Sequence, residues 1–209
     1  MHWTKSLYYP PMMTPNEIKS LLRQWIVRSL PHGDGDALID ELCFVDKARR
    51  ADVVHANGKL SAFEIKSHAD TLLRWSGQQD AYLSCFDEVW LCCHSKHLVK
   101  ALEVTHGDVG IILVDDLGGF AIVRRAKLNK KVSSYNLTGF LWRDQLDEFA
   151  KENGVKVSSK MRIKDVRRQV SDETPQDLLR NLVISVLKER YGNQMRSSKS
   201  SGSFPAEES

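Results

Sequence analysis

Residues 50–67, "RADVVHANGKLSAFEIKS", read as two short apolar strands joined by Asn57-Gly58, the strongest short-range hairpin signal. The second strand carries Glu64 and Lys66 on either side of Ile65, an acid and a base where a core strand would hold neither. Register decides where they point. A two-residue loop pairs Ala56 with Lys59 and sets Asp52 on the opposite face from Glu64 and Lys66. A three-residue loop ending at a left-handed Gly58, or a bulge, moves the pairing by one and gathers Asp52, Glu64 and Lys66 on one face. Burial favours the second register, because Val53, Phe63 and Ile65 then share the other face. The hairpin is expected to have one apolar face and one bearing two carboxylates and a lysine.

Upstream, "NEIKSLLRQWIVRSL" places Ile18, Leu21, Leu22, Trp25 and Ile26 at helical spacing after Thr14-Pro15, a cap and a first-turn proline. "ALIDELCFV", which contains Glu41, reads either as a helix running into a strand or as a strand throughout, because a short apolar run does not settle the period. Downstream, "ADTLLRWSGQQDAYLSCF" suits a helix with Asp70 near its start. "EVWLCC" and "GIILVDD" suit buried strands, "SKHLVKALEVTH" a helix, and "GGFAIVRRA" a last strand after a Gly-Gly turn. The order is α/β with a mixed central sheet flanked by helices. From about residue 129 the composition changes. "GFLWRDQLDEFAKENG" is a helix closed by Gly154, and "TPQDLLRNLVISVLKERYG" another, capped by Thr174 and ended by Gly192. The expected units are a core over 14–128, a helical C-terminal region over 129–192, and a Ser-rich, disordered tail over 193–209.

At 209 residues and 42% hydrophobic, the chain can bury a real core. No apolar run is long enough to span a bilayer, and "MHWTKSLYYPPMM" lacks the apolar centre and cleavage site of a secretory signal, so no membrane partner and a cytoplasmic location are expected. Cys43, Cys85, Cys92 and Cys93 show no disulfide spacing and are expected to be reduced and packed. A net charge of +3 permits a nucleic-acid partner without requiring one.

Two adjacent carboxylates repel unless a cation lies between them, and oxygen-only ligands suit magnesium or manganese. Such an ion lowers the pKa of a bound water and offsets phosphate charge, while an ammonium at Lys66 orients or helps deprotonate the nucleophile. Those are the requirements of phosphodiester hydrolysis. On spacing alone a charged strand face usually means solvent. The local context favours function: the triplet follows a hairpin on a buried-type strand, Glu41 precedes it, and a helix follows with Gln78 and Tyr82 at i and i+4 on one face.

Asp52, then Glu64-Ile65-Lys66, then Gln78-x-x-x-Tyr82 resembles the PD-(D/E)XK nuclease superfamily, with its restriction-endonuclease-like fold, in the RecB-like branch that carries a Gln-x-x-x-Tyr helix. "RRADVV" followed by "FEIKS" is similar to small bacterial and phage nuclease-like proteins of the MmcB type of DNA repair. The resemblance spans about 36–128. It implies a nuclease acting on single- or double-stranded DNA with Mg2+ or Mn2+, working alone, as a homodimer or in a larger phage, repair or defence complex. It further implies Asp52 and Glu64 as metal ligands, with the Ile65 carbonyl added, Lys66 as the catalytic lysine and Glu41 as the upstream acid. Gln78 and Tyr82 would contact substrate or brace the site. Ala51 stands where the superfamily's name places proline, a common variation.

Other residues compete for notice. Cys92, Cys93, His94 and His97 invite zinc, but neighbours on a strand point to opposite faces, which favours an ordinary core strand end. His68, just after Lys66-Ser67, could reach phosphate, and Arg49 and Arg50 could clamp it; His55 and Trp75 are more simply structural. The basic run Lys156, Lys160, Arg162, Lys164, Arg167 and Arg168 suits either a phosphate-tracking part of a small helical DNA-binding module or a solvated face. The rival to a nuclease is a catalytically silent nucleic-acid-binding or assembly module on the same fold.

Overall fold

The structure, a computed structural model, describes residues 12–200, the last eight of them as backbone only. Thr14 opens the first helix, α1 (Pro15–Ser29), with a capping box: its hydroxyl accepts from the Glu17 N–H while the Glu17 carboxylate accepts from the Thr14 N–H at 2.7 Å. Three strands follow, β1 (Ala37–Phe44), β2 (Arg49–Ala56) and β3 (Leu60–Lys66), then α2 (Trp75–Leu83), β4 (Glu88–His94), α3 (Leu98–Val104), β5 (Gly110–Val114) and β6 (Phe120–Arg124). They form one mixed sheet in sequential order, parallel across β3, β4 and β5 and antiparallel elsewhere. The protein is therefore α/β, with the sheet between two helical layers. On one face α1 buries Ile18, Leu22 and Ile26 against Val53, Phe63, Ile65, Trp90 and Ile112. On the other, Val54, Leu60, Ala62, Leu91 and Ile111 meet α2, α3 and the C-terminal helices, in the larger core.

The C-terminal region adds α4 (Ser134–Leu137), α5 (Arg143–Glu152), α6 (Ile163–Glu173) and α7 (Gln176–Ser200). The basic run contains a helix, α6, that buries Val166 and Val170. Beyond it the structure departs from the sequence expectations. Thr174 closes α6 by donating its hydroxyl to the Val170 carbonyl at 2.6 Å. The helix expected to stop at Gly192 continues to Ser200, so the first part of the Ser-rich tail is helical backbone; residues 201–209 lie outside the described residues. Likewise α2 begins at Trp75, not near Asp70, because Asp70 instead turns back to take the Ser67 N–H (2.8 Å) and hydroxyl (2.6 Å). All four cysteines are free, and three of them are buried as expected. No helix among the described residues is long and apolar enough to cross a membrane.

The hairpin has the facing that burial favoured, with Val53, Phe63 and Ile65 in one core, but its three-residue loop does not end at Gly58. Val53 pairs with Phe63 and Ala56 with Leu60, leaving Asn57, Gly58 and Lys59 as the loop with Gly58 left-handed at its centre. The expected division into an apolar and a charged face is replaced by burial on both sides: the first six residues of β3 are all buried, and the strand turns polar only in its last rungs.

Candidate functional site

The polar rungs lie where the sheet opens. β1 and β2 stay paired from Ala37–Ala56 out to Phe44–Arg49, while β2 pairs with β3 only as far as Val53–Phe63, so the outer part of the β1–β2 ribbon runs beyond β3. Glu41 and Asp52 share the rung at which this happens, between the Asp40–Val53 and Leu42–Ala51 pairs. Glu41 is left-handed (φ 56°), which costs energy in a non-glycine residue and resets the strand's alternation. Ile39 and Leu42 therefore both enter the larger core, as do Ala51 and Val54 on the partner strand. Such spacing is neither helical nor strictly alternating, and this is why the period of "ALIDELCF" could not be read.

Asp52 fills the gap left in the ladder. Its Oδ2 accepts the Ile65 N–H at 2.7 Å, in place of a backbone carbonyl, so it meets Glu64 across the β2–β3 seam. Burial, and then the charges of Glu64 and Glu41, push the Asp52 carboxyl up to about 6, against a lowering by the Ile65 hydrogen bond. Glu64 is only 6% exposed. One of its oxygens pairs with the Lys66 ammonium at 2.6 Å and the other accepts from the Tyr82 hydroxyl. Tyr82 also donates to the Arg50 carbonyl at 3.2 Å, and burial followed by the Glu64 charge holds its phenol far above the ordinary tyrosine range. The phenol thus stays a donor to Glu64 at any working pH.

Glu41 completes the acidic group from the other side. It forms ion pairs with Lys19 of α1 and with Arg50, whose Nε lies 2.5 Å from Glu41 Oε2. The structure thus brings Glu41, Arg50, Asp52, Glu64, Ile65, Lys66 and Tyr82 into one linked set. Gln78 stands one turn before Tyr82, and its amide oxygen is buried with no hydrogen-bond partner. His68 goes elsewhere: its ring packs edge-on against His94, centroids 4.9 Å apart, and His94 in turn bonds Asp116 at 2.8 Å. Cys92 and Cys93 point into opposite cores. Trp75 is core, donating from its indole nitrogen to Thr105 at 3.0 Å.

Two features escaped the sequence reading. One is Lys19, which is only 16% exposed and reaches Glu41. Among the described residues, the tightest set of potential metal-binding atoms is His32, Asp36 and His55, all within 4.8 Å of one another. His55 was expected to be structural and has a second ring against it, His32 Nδ1 to His55 Nε2 at 3.0 Å. Burial, then His32, pushes the His55 ring down to about 4, so it is neutral at physiological pH. The Asp36 carboxylate is taken by the Lys188 ammonium at 2.7 Å and the Gly33 N–H at 2.8 Å, an arrangement that clasps the loop before β1 without any ion.

A family model described as bacteriophage P4 protein cII matches residues 12–201, nearly the whole chain. The chain belongs to the bacteriophage P4 protein cII family. Protein cII of Enterobacteria phage P4 is 27% identical to it over 183 residues, covering 86% of this chain and 69% of that protein. A solved protein of unknown function from Silicibacter pomeroyi shares 18% identity at a TM-score of 0.43, with 71% of this chain and 99% of that one covered. The family match takes in both the acidic group and the helical C-terminal region, so the two are parts of one family unit.

Proposed function

We propose that this member of the cII family is a metal-dependent nuclease that hydrolyses DNA phosphodiester bonds in the cytoplasm, with its site at Asp52, Glu64 and Lys66. The observation that carries the reading is geometric: Asp52 is held on the Ile65 N–H next to Glu64, Glu41 faces it across the β1–β2 rung, and the Lys66 ammonium lies 2.6 Å from Glu64; burial and the two acids push the Asp52 carboxyl up to about 6. Acids whose charges act on one another in this way are relieved by a divalent cation. The donor set fits a hard ion: all three acids offer oxygen, and Asp52 Oδ1 has no hydrogen bond among the described residues, while Glu41 Oε2 is held in the Arg50 ion pair. Asp52 and Glu64 would hold magnesium or manganese, with the Ile65 carbonyl and Glu41 beside them. The ion would supply an acidified water and charge neutralisation at the phosphate.

The chain's own residues do the rest. Lys66, which pairs with Glu64 at 2.6 Å, would be freed if that carboxylate held the ion, and would then orient or help deprotonate the attacking water and face the developing phosphate charge. Tyr82 orients Glu64 through its hydrogen bond, and the Ile65 N–H orients Asp52. Arg50, largely exposed and already at the site through Glu41, is placed to meet a phosphate oxygen. The resemblance to the PD-(D/E)XK superfamily supports the same assignment of roles.

One observation favours a second reading. Both Glu64 oxygens are already engaged, by Lys66 and by Tyr82, an arrangement that would also be stable in a silent nucleic-acid-binding module. Cleavage of labelled single- and double-stranded DNA with Mg2+ or Mn2+ separates the two. A nuclease loses cutting in EDTA and in Lys66→Ala and Glu64→Gln while the variants still bind DNA. Binding without any cutting by the wild type points to the silent module.

A further inference from the structure

The outer β1–β2 ribbon closes over the C-terminal helices and leaves a groove of ≈ 710 Å³ between them. Glu41 is among the residues that line it and links it to the acidic site, whose Asp52 and Glu64 lie outside the lining. Lys47, Trp142, Ile163, Lys164 and Arg190 line the rest. We propose that this groove binds the bases and phosphates of a single-stranded DNA segment and leads it to the acids at Glu41, Asp52 and Glu64. The inference rests on the nuclease reading for what happens at the acids, though not for the binding itself.

Three features argue for a single strand. Trp142 is 58% exposed, an unusual position for the largest apolar side chain, and the Arg190 guanidinium lies 3.9 Å from its ring centroid. One ring face is thus supported and the tryptophan held as a platform, beside Ile163 at 45% exposure. Bases can stack on such a platform only when they have left a duplex. Second, the groove is the size of a small-ligand site, roughly 300–1,000 Å³, which admits a nucleotide or two and not the breadth of a double helix. Third, Lys47 and Lys164 are exposed, and neither makes a side-chain hydrogen bond or an ion pair among the described residues. The other lining arginines are committed to the fold. Arg143 bonds Asp147 (2.8 Å) and the Met161 and Ser158 carbonyls (2.6 and 2.8 Å), while Arg167 pairs with Asp46 and donates to Thr138 at 2.9 Å. The lysines are thus the free phosphate partners, and the arginines build the wall.

The turn that carries Lys47 is also strained. Val45, Asp46 and Lys47 are left-handed in succession (φ 47°, 53° and 66°), and valine is β-branched, so the conformation is costly. It is held by the Asp46–Arg167 ion pair and by the Ala48 N–H bond to the Val45 carbonyl at 2.9 Å. The ribbon end is thus pinned to α6, with Lys47 set on the groove. Strain maintained at a surface turn, beside an exposed tryptophan and next to buried acids, is what a built binding groove requires.

Fluorescence anisotropy with a labelled oligothymidine and a labelled duplex, both in EDTA so that nothing is cut, tests the inference. Expected is tighter binding of the single strand, weakened roughly 5- to 150-fold in Trp142→Ala, the range for losing one base–aromatic stack. Lys47→Gln with Lys164→Gln should lower the slope of log affinity against log salt by about 1.4. Both variants change exposed side chains and should melt as the wild type does. A preference for duplex, no binding by the wild type, or wild-type affinity in both variants overturns the groove. Groove-dependent binding by a protein that never cuts would sink the nuclease reading and leave the groove, whereas cutting with groove-independent binding does the reverse.

Discussion

Asp52→Asn should make the protein more stable at neutral pH, an unusual effect for removing a buried, hydrogen-bonded side chain. The folded carboxyl titrates at about 6 against an ordinary 3.8. Ionised Asp52 therefore costs the folded state up to ~3 kcal/mol above pH 7. The sign follows from proton counts. Between 3.8 and about 6 the folded state binds more proton than the unfolded state, so this group's contribution is most favourable below 3.8 and is lost as pH rises through about 6. Asparagine keeps an acceptor for the Ile65 N–H but makes a neutral hydrogen bond, a loss of about 1 kcal/mol. The net gain at about pH 7.5 is then ~1–2 kcal/mol, shrinking and reversing as pH falls toward 4. Urea unfolding of both proteins in EDTA across that range measures the difference; distant titrating groups cancel in it, while the coupled Glu64 and Glu41 carboxyls contribute to the same effect. A variant that is less stable at neutral pH, or a difference that stays flat with pH, would show that the acids do not repel as the structure implies.

Three further outcomes follow from packing and hydrogen bonding. Tyr82→Phe deletes the hydroxyl donated to Glu64 and to the Arg50 carbonyl, leaving a buried carboxylate oxygen unpaired, and should cost about 1–3 kcal/mol in urea unfolding. Gly110→Ala would drive a methyl group into the Trp90 ring and to 2.7 Å from the Ala126 nitrogen; an overpacking loss of about 1–3 kcal/mol or more should appear as a lower melting temperature. Arg167→Met removes a buried guanidinium that joins Asp46, Thr138 and the Tyr135 carbonyl. It should destabilise by roughly 2–4 kcal/mol and raise amide exchange in the 45–48 turn, which only that arginine ties to α6 by a side-chain ion pair.

How far the sequence carried can be argued element by element. The hairpin register was legible because Val53, Phe63 and Ile65 must share a face, and a one-residue slip would have moved all three. The first helix and the buried strands β4 and β5 were legible from the Thr14 cap and from continuous apolar runs. Helix α6 was legible only as one of two readings of the basic run, because its buried apolar residues are just Val166 and Val170, with Arg167 buried between them, so its helical period is hidden by polarity. The left-handed Glu41 was invisible for a different reason. Nothing local marks it; it is set by the shared rung with Asp52 and by Lys19 and Arg50 on either side, which are tertiary contacts. The same holds for His32 and Asp36, which meet His55 because Leu38 pairs with His55 across β1 and β2. Of the candidate site, Asp52, Glu64, Lys66 and Tyr82 are picked out by the motif resemblance, because their spacing alone also suits a solvated strand face. His68 could not be excluded that way, since only its packing against His94 draws it aside.

The proposal stands on whether the buried acids form a cation site, and calorimetric titration of Mn2+ into the protein tests this without depending on any substrate. Asp52→Asn, Glu64→Gln and His32→Ala should be titrated beside the wild type. Expected is saturable binding that is lost in Asp52→Asn and Glu64→Gln and kept in His32→Ala. Binding that survives in both acid variants, or that disappears with His32, would contradict the assignment of the metal to Asp52 and Glu64.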